Sequence, residues 1–404
     1  MRNLSQMTSI FLCVIQSRCG EESRSLRPIK RPREARFIAW PLTLAIAASL
    51  AMLLSACSTQ SASHPSNQFG SREVIFVSNA VDNSVNIYPI GSRGDSGPVA
   101  TIKGPATGLD DPVSIALDSS GKIYVLNNGT AGNSASIEVF APGSRGNLAP
   151  IARIAGPGTR LQSVNKIAVD SAGQIYVAIE VEDIDSQPAG ILIYPPGSNG
   201  NVTPSATIGG VESEIRNPWG IAIDLQGDIL VAEAATDKKG RLLVFPAGTQ
   251  GEAKPRFVLE GNDERLIAPT AIAVDSGGII YVANGEGHTM DGASISVFRG
   301  HPTGGPAAPA DSSPPTLVAS IRGLKTGLMD DPVALISGIA IDSRRNIYVT
   351  IPATRHNPVS RIVVFAAGSD REVVPRAVIV GLSTKLSGPS GIAIGPELRN
   401  SSKL

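Results

Sequence analysis

The sequence predicts an all-β chain, a six-bladed β-propeller with four antiparallel strands per blade. Three observations predict it: a hairpin-like unit that recurs along the chain, four strand-like pieces in every repeat, and chain ends that complement one another. Ile167 to Ala178 gives the wording of the unit, Ile-Ala-Val-Asp, a short turn, then Ile-Tyr-Val-Ala. Related copies start at Ile115, Ile221, Ile272 and Ile339, and their turn aspartates are Asp118, Asp170, Asp224, Asp275 and Asp342.

Each piece has a local reason to be extended. The first strand, a, is a β-branched run flanked by small residues such as Gly220, Ala271, Gly338 and Gly391, which suits a crowded axis where strands converge. An Asp-Ser-x-Gly turn follows, in which Asp bonds the next amides and Gly accepts positive φ. Arg344-Arg345-Asn346 departs from that wording and predicts Asn346 at the left-handed position. Strand b is the Ile-Tyr-Val piece. Strand c reads Ile-x-Val-Phe, as in Ile137 to Phe140, and short Gly-Ser turns lead from most copies to strand d, as in Ala152 to Gly156.

The ends then close the count at six. The domain opens on a b-type strand, Val74-Ile75-Phe76-Val77, with no a-strand before it. It closes on an a-type strand, Gly391-Ile392-Ala393-Ile394, with no b-strand after it. Pairing the two completes one blade from both termini and removes an exposed sheet edge. An open solenoid has no need of such ends. One interval is long, 67 residues from Asp275 to Asp342, because a Pro/Gly/Ala-rich insertion at 299–315 replaces a short c–d turn. It reads as a surface excursion.

Before the repeats lies a leader. Residues 1–36 carry eight Lys/Arg against three Glu, and Phe37 to Ala56 has no charge. A basic region, an apolar core and small residues before a cut site make a secretory signal over 1–56. Leu54-Ser55-Ala56-Cys57 resembles the bacterial lipobox, in which the cysteine is lipidated and becomes the mature N-terminus. A transmembrane anchor is the alternative for about 20 apolar residues, and Pro41 with the small residues before Cys57 favours cleavage. The leader is long enough to suggest a translation start downstream of Met1. Residues 57–72 read as the lipidated cysteine and a Ser/Asn/Gln-rich tether, 73–396 as the propeller and 397–404 as a tail. Export to the cell envelope with a lipid anchor in the membrane follows, in the outer membrane if the host is Gram-negative, where Ser58 suits that sorting.

Composition excludes some partners. Formal net charge is zero over the whole chain, and removing 1–56 leaves 27 basic against 32 acidic residues. No basic surface favours nucleic acid. The three cysteines, Cys13, Cys19 and Cys57, all precede the repeats, so the repeats hold neither disulfide nor thiolate metal site. No thiol nucleophile and no Gly-x-Ser-x-Gly elbow is present there. A monomer is expected.

The Ile-Ala-Val-Asp, Ile-Tyr-Val-Ala-Asn and Ile-x-Val-Phe wording resembles NHL-repeat propellers, and more loosely the SMP-30/gluconolactonase and YVTN-type propellers, over about residues 74–396. The resemblance implies the fold strongly and an activity weakly, because such propellers include enzymes and plain binding platforms.

Connections alternate between the two faces of a propeller. The a–b and c–d turns repeat with little change, whereas the b–c and d–a loops vary from unit to unit, and variable loops on a rigid frame carry specificity. That face holds the candidate binding residues Asp111, Asn165, Asn217 and Trp219. Trp219 suits either stacking on a sugar or peptide ring or plugging the axis as core, the second being favoured here. At the exit of strand b stand Asn79, Asn127, Glu233 and Asn284, whose oxygens suit Ca²⁺ or Mg²⁺ at the channel mouth. Metal-dependent lactonases of the SMP-30 type use such an Asn/Glu/Asp set. The same residues are also common strand-ending turn formers, the favoured reading. His288 and His356 lack metal-ligand spacing and read as loop histidines. The expected function is a binding or scaffold module for a protein, peptide or glycan. The alternative is a metal-dependent hydrolase of the lactonase type, and a purely structural surface protein stands third.

Overall fold

The computed structural model describes residues 72–130, 134–180, 188–234, 240–261, 266–285, 293–300, 314–328 and 335–397. The leader, Cys57, nearly all of the tether, His288, residues 301–313 and the tail beyond 397 lie outside the described residues. Among the described residues no helix is long and apolar enough to cross a membrane.

Six four-stranded sheets stand in a ring. Blade 2 shows the plan: a is Pro112–Leu117, b is Ile123–Asn127, c is Ser136–Phe140 and d is Ala152–Ala155, paired antiparallel in that order. Blade 1 is built from both ends of the chain. Its strand b, Glu73–Asn79, pairs with the last strand, Pro389–Pro396, in the register Ile75↔Ile394 and Val77↔Ile392. The amide of Glu397 extends the pairing by donating to the Arg72 carbonyl at 2.6 Å.

The a-strands line the axis and contact one another around the ring. Aligned by column, they place isoleucine at 115, 167, 221, 272, 339 and 392, followed by alanine in all six. At two positions glycine makes room where the next blade's inner strand approaches. A Cβ on Gly391 would lie 2.9 Å from the Ile115 nitrogen, and one on Gly338 would lie 3.2 Å from the Ile392 nitrogen. Hydrophobic packing lies between blades rather than at one centre. Leu126 and Ile137 of blade 2, for example, pack with Val177 and Tyr194 of blade 3. The aromatic ending strand c is buried in every blade: Tyr88, Phe140, Tyr194, Phe245, Phe298 and Phe365.

The aspartate turns form as expected, with one correction. Asp118 Oδ1 accepts the amides of Ser120 and Lys122 at 2.9 and 3.0 Å, while Oδ2 accepts the Tyr124 hydroxyl at 3.1 Å. In the variant turn the left-handed residue is Arg345, at φ 63°, not Asn346. Arg345 falls third after the aspartate, where the other turns place glycine, and Asn346 instead donates its side-chain amide to Asp342 Oδ2 at 2.7 Å.

The c–d connections are also not the simple short turns expected. The five among the described residues climb back along the outer strand of the preceding blade. Gly146 pairs with Ile102, Gly200 with Ile154, Gly251 with Ile208, Arg371 with Ile321, and Gly94 with Ile379 across the ring closure. Side chains reinforce this clamp, as where Asn147 Oδ1 accepts the Ala106 amide at 2.8 Å and Asp95 Oδ1 accepts that of Ser383 at 2.7 Å. The otherwise open edge strand d is thus covered in the five blades that these connections reach.

Candidate functional site

On the face of the b–c and d–a loops the axis opens into a cavity of about 430 Å³. All six blades reach it through the residue two before the axial isoleucine, which is Val113, Asn165, Trp219, Thr270, Ser337 and Ser390. Four of these donate to the carbonyl just before the equivalent residue in the next blade. Asn165 Nδ2 reaches the Pro218 oxygen at 2.9 Å, Thr270 Oγ1 that of Ile336 at 2.5 Å, and Ser337 Oγ that of Pro389 at 2.6 Å. Ser390 Oγ does the same to Pro112. A girdle of hydrogen bonds therefore holds the mouth open as a rigid rim, interrupted at Val113 and Trp219.

Trp219 is not the axial plug expected. It is 37% exposed and forms part of the cavity wall. Its Nε1 donates to Asn217 Oδ1 at 2.9 Å, and Asn217 Nδ2 is fixed by the Ala234 carbonyl at 2.8 Å. Asn217 thus orients the indole. Asp111 stands outside the cavity lining, at φ 52°, with its amide bonded to Asn83 Oδ1 at 2.8 Å.

The strand-b exit residues have a shared place beneath the surface. Asn79, Asn127, Glu233 and Asn284 are each 2% exposed or less, and none lines the cavity. Their oxygens anchor the neighbouring loop backbone: Asn79 Oδ1 accepts the Ser387 amide at 3.1 Å, Asn127 that of Asp110 at 3.2 Å, and Asn284 that of Ile267 at 3.2 Å. Glu233 Oε1 accepts the amides of Arg216 and Asn217 at 2.7 and 3.2 Å, and its Oε2 pairs with Arg241. The four sit in four different blades, each spent on its own blade. The structure does not bring them together at the mouth, and the donor set a divalent ion would need is committed elsewhere. Among the described residues no group of three or more His, Cys, Asp or Glu is placed to hold a metal.

Sequence reasoning missed Lys166. It occupies the column where the other blades carry Ser114, Gly220, Ala271, Gly338 and Gly391, so its side chain alone extends over the axis. Its Nζ donates to the carbonyls of Ser390 at 3.0 Å and Val113 at 3.3 Å, two blades away and one blade away. It lines both the mouth cavity and a narrow space of about 60 Å³ below it, between the glycines and the isoleucine ring. Burial lowers its pKa to about 8, since a desolvated ammonium is disfavoured. Aligning the a-strands by column would have found it as the one long side chain among small ones.

The chain matches no protein-family model and no curated protein. Solved structures similar to it include a protein of unknown function from Bacteroides caccae, 13% identical, covering 80% of this chain and 99% of that one at a TM-score of 0.48. A protein from Lactobacillus plantarum is 10% identical over 80% and 99%, at 0.49. The PQQ-bound aldose sugar dehydrogenase from Streptomyces coelicolor is 17% identical over 72% and 90%, at 0.43. At these levels none carries an argument about activity, and the six-blade count rests on this chain's own strands.

Proposed function

We propose that the protein is a non-enzymatic, lipid-anchored envelope propeller that binds a group of a protein, peptide or glycan in its axial mouth. The observation that carries the reading is the 430 Å³ cavity on the variable-loop face, whose rim is rigid while its lining breaks the sixfold repeat at Trp219 and Lys166. A concave site with an aromatic wall and a few fixed polar groups is the usual form of a binding pocket. The lipobox-like Leu54-Ser55-Ala56-Cys57 supports the anchor. Metal-assisted hydrolysis lacks comparable support, because Glu233 and the three asparagines are buried in blade hydrogen bonds.

Photo-crosslinking in intact cells tests the binding reading. A photoreactive residue at Leu335, on the cavity wall, is expected to give discrete adducts, while one at Leu225, exposed on the opposite face, gives none. Equal labelling from both positions, or labelling from Leu225 alone, contradicts it. The anchor has a separate test: Cys57→Ala is expected to lose incorporated lipid and membrane retention after signal cleavage.

A further inference from the structure

The charge beneath the mouth says what the cavity takes. An ammonium has three donors, and Lys166 uses two on the Ser390 and Val113 carbonyls. The third has no acceptor among the described residues. No carboxylate forms an ion pair with Lys166 there either, in contrast to Arg241, which meets Glu233 and Glu214. An ammonium withdrawn from water attracts an anion more strongly than a solvated one does.

The surroundings limit what can deliver that anion. Among the described residues, Lys166 and Glu180 are the two charged side chains lining the cavity, and Glu180 follows strand b at the exit to the loops. The same cavity is lined by the indole of Trp219, held by Asn217, and by apolar walls at Val113, Leu335 and Pro352. A ligand that fits has a carboxylate at the deep end, a ring against the indole, and at the outer end neutral or donor groups that tolerate Glu180.

We propose that the axial cavity binds a carboxylate carried on a ring, with the carboxylate on the free donor of Lys166 and the ring against Trp219. This rests on the binding reading above. An acidic sugar of a glycan and an aromatic carboxylate share that chemistry, and hydroxyls facing Glu180 favour the sugar.

Calorimetric titration of the protein purified after expression of the full chain decides between them. Glucuronate and phenylacetate are compared with glucose and phenylacetamide, which keep the rings without the charge. At least one carboxylate is expected to bind saturably at pH 7, at least tenfold more tightly than its neutral counterpart, and which one binds identifies the source. Lys166→Met removes that preference. Binding also weakens about tenfold from pH 7 to pH 9 as the ammonium, with its pKa near 8, loses its proton. That series on the unaltered protein stands even if the variant fails to fold. The inference is overturned if neither carboxylate binds, if the neutral rings bind as well, or if the preference survives in a folded Lys166→Met. Neutral-ring binding lost in Trp219→Ala but kept in Lys166→Met would overturn the carboxylate alone and leave the binding reading intact. Leu335 adducts without any probe binding would do the same, whereas loss of both overturns both.

Discussion

Two residues hold charge where the fold pays for it. Lys166 titrates near 8, below the ordinary lysine value of about 10.4, because burial disfavours its charged form. The unfolded chain therefore binds more protons between those values, and stability rises with pH across that window. Lys166→Met is expected to flatten this rise and to raise the melting temperature at pH 7, measured as a melting series from pH 7 to 10. Glu138 is the opposite case. Fully buried on strand c of blade 2, it accepts from Ser136 at 3.1 Å and meets Arg153 at 3.0 Å, yet its Oε2 has no hydrogen-bond partner among the described residues. Burial outweighs Arg153 and pushes its pKa up to about 7. Here the folded state binds the extra proton, so stability is lost as pH rises from the unfolded value of about 4.3 toward 7. Glu138→Gln keeps a neutral side chain and is expected to stabilise by about 2–3 kcal/mol at pH 8, with the gain vanishing near pH 4 in denaturant titrations.

Strands explain what was legible in the sequence. Hairpin wording, aspartate turns and strand c aromatics are local patterns, set by residues three to six apart, and they specified the blade. The clamp from the described c–d connections onto the preceding blade was not legible, because it joins segments distant in sequence, about 45 residues apart for backbone bridges such as Gly146 to Ile102. For the same reason the strand-b exit residues resembled a ligand set: nothing in Asn79 or Glu233 alone says that its oxygens meet a loop amide below the surface. Lys166 was visible only across blades, in a column. The axial glycines did announce themselves, and their reason is now specific. Gly391→Ala places a Cβ against the Ile115 and Ser114 backbone at 2.9 Å and is expected to cost about 1–3 kcal/mol by denaturant unfolding. An equal loss is not expected from alanine at the exposed turn glycine Gly368, where nothing lies within 4 Å and only its positive φ resists.

For the molecule as a whole, closure and asymmetry divide the labour. Closure comes from the terminal strand, which supplies the inner strand of blade 1 and the Ser390 that completes the rim. Ending the chain at Gly388 is expected to abolish cooperative unfolding rather than lower its midpoint, since blades 1, 2 and 6 lose a shared neighbour. Asymmetry is greatest at two axial positions, an indole at 219 and an ammonium at 166, both facing one cavity. The frame is repetitive so that these two positions can differ without altering it. High-resolution crystallography of the protein purified from its own cells tests that assignment most directly. A ring-shaped molecule is expected against Trp219, with an acidic group on the Lys166 nitrogen. An indole folded down over Lys166, closing the mouth and leaving no space for a ligand, would contradict it.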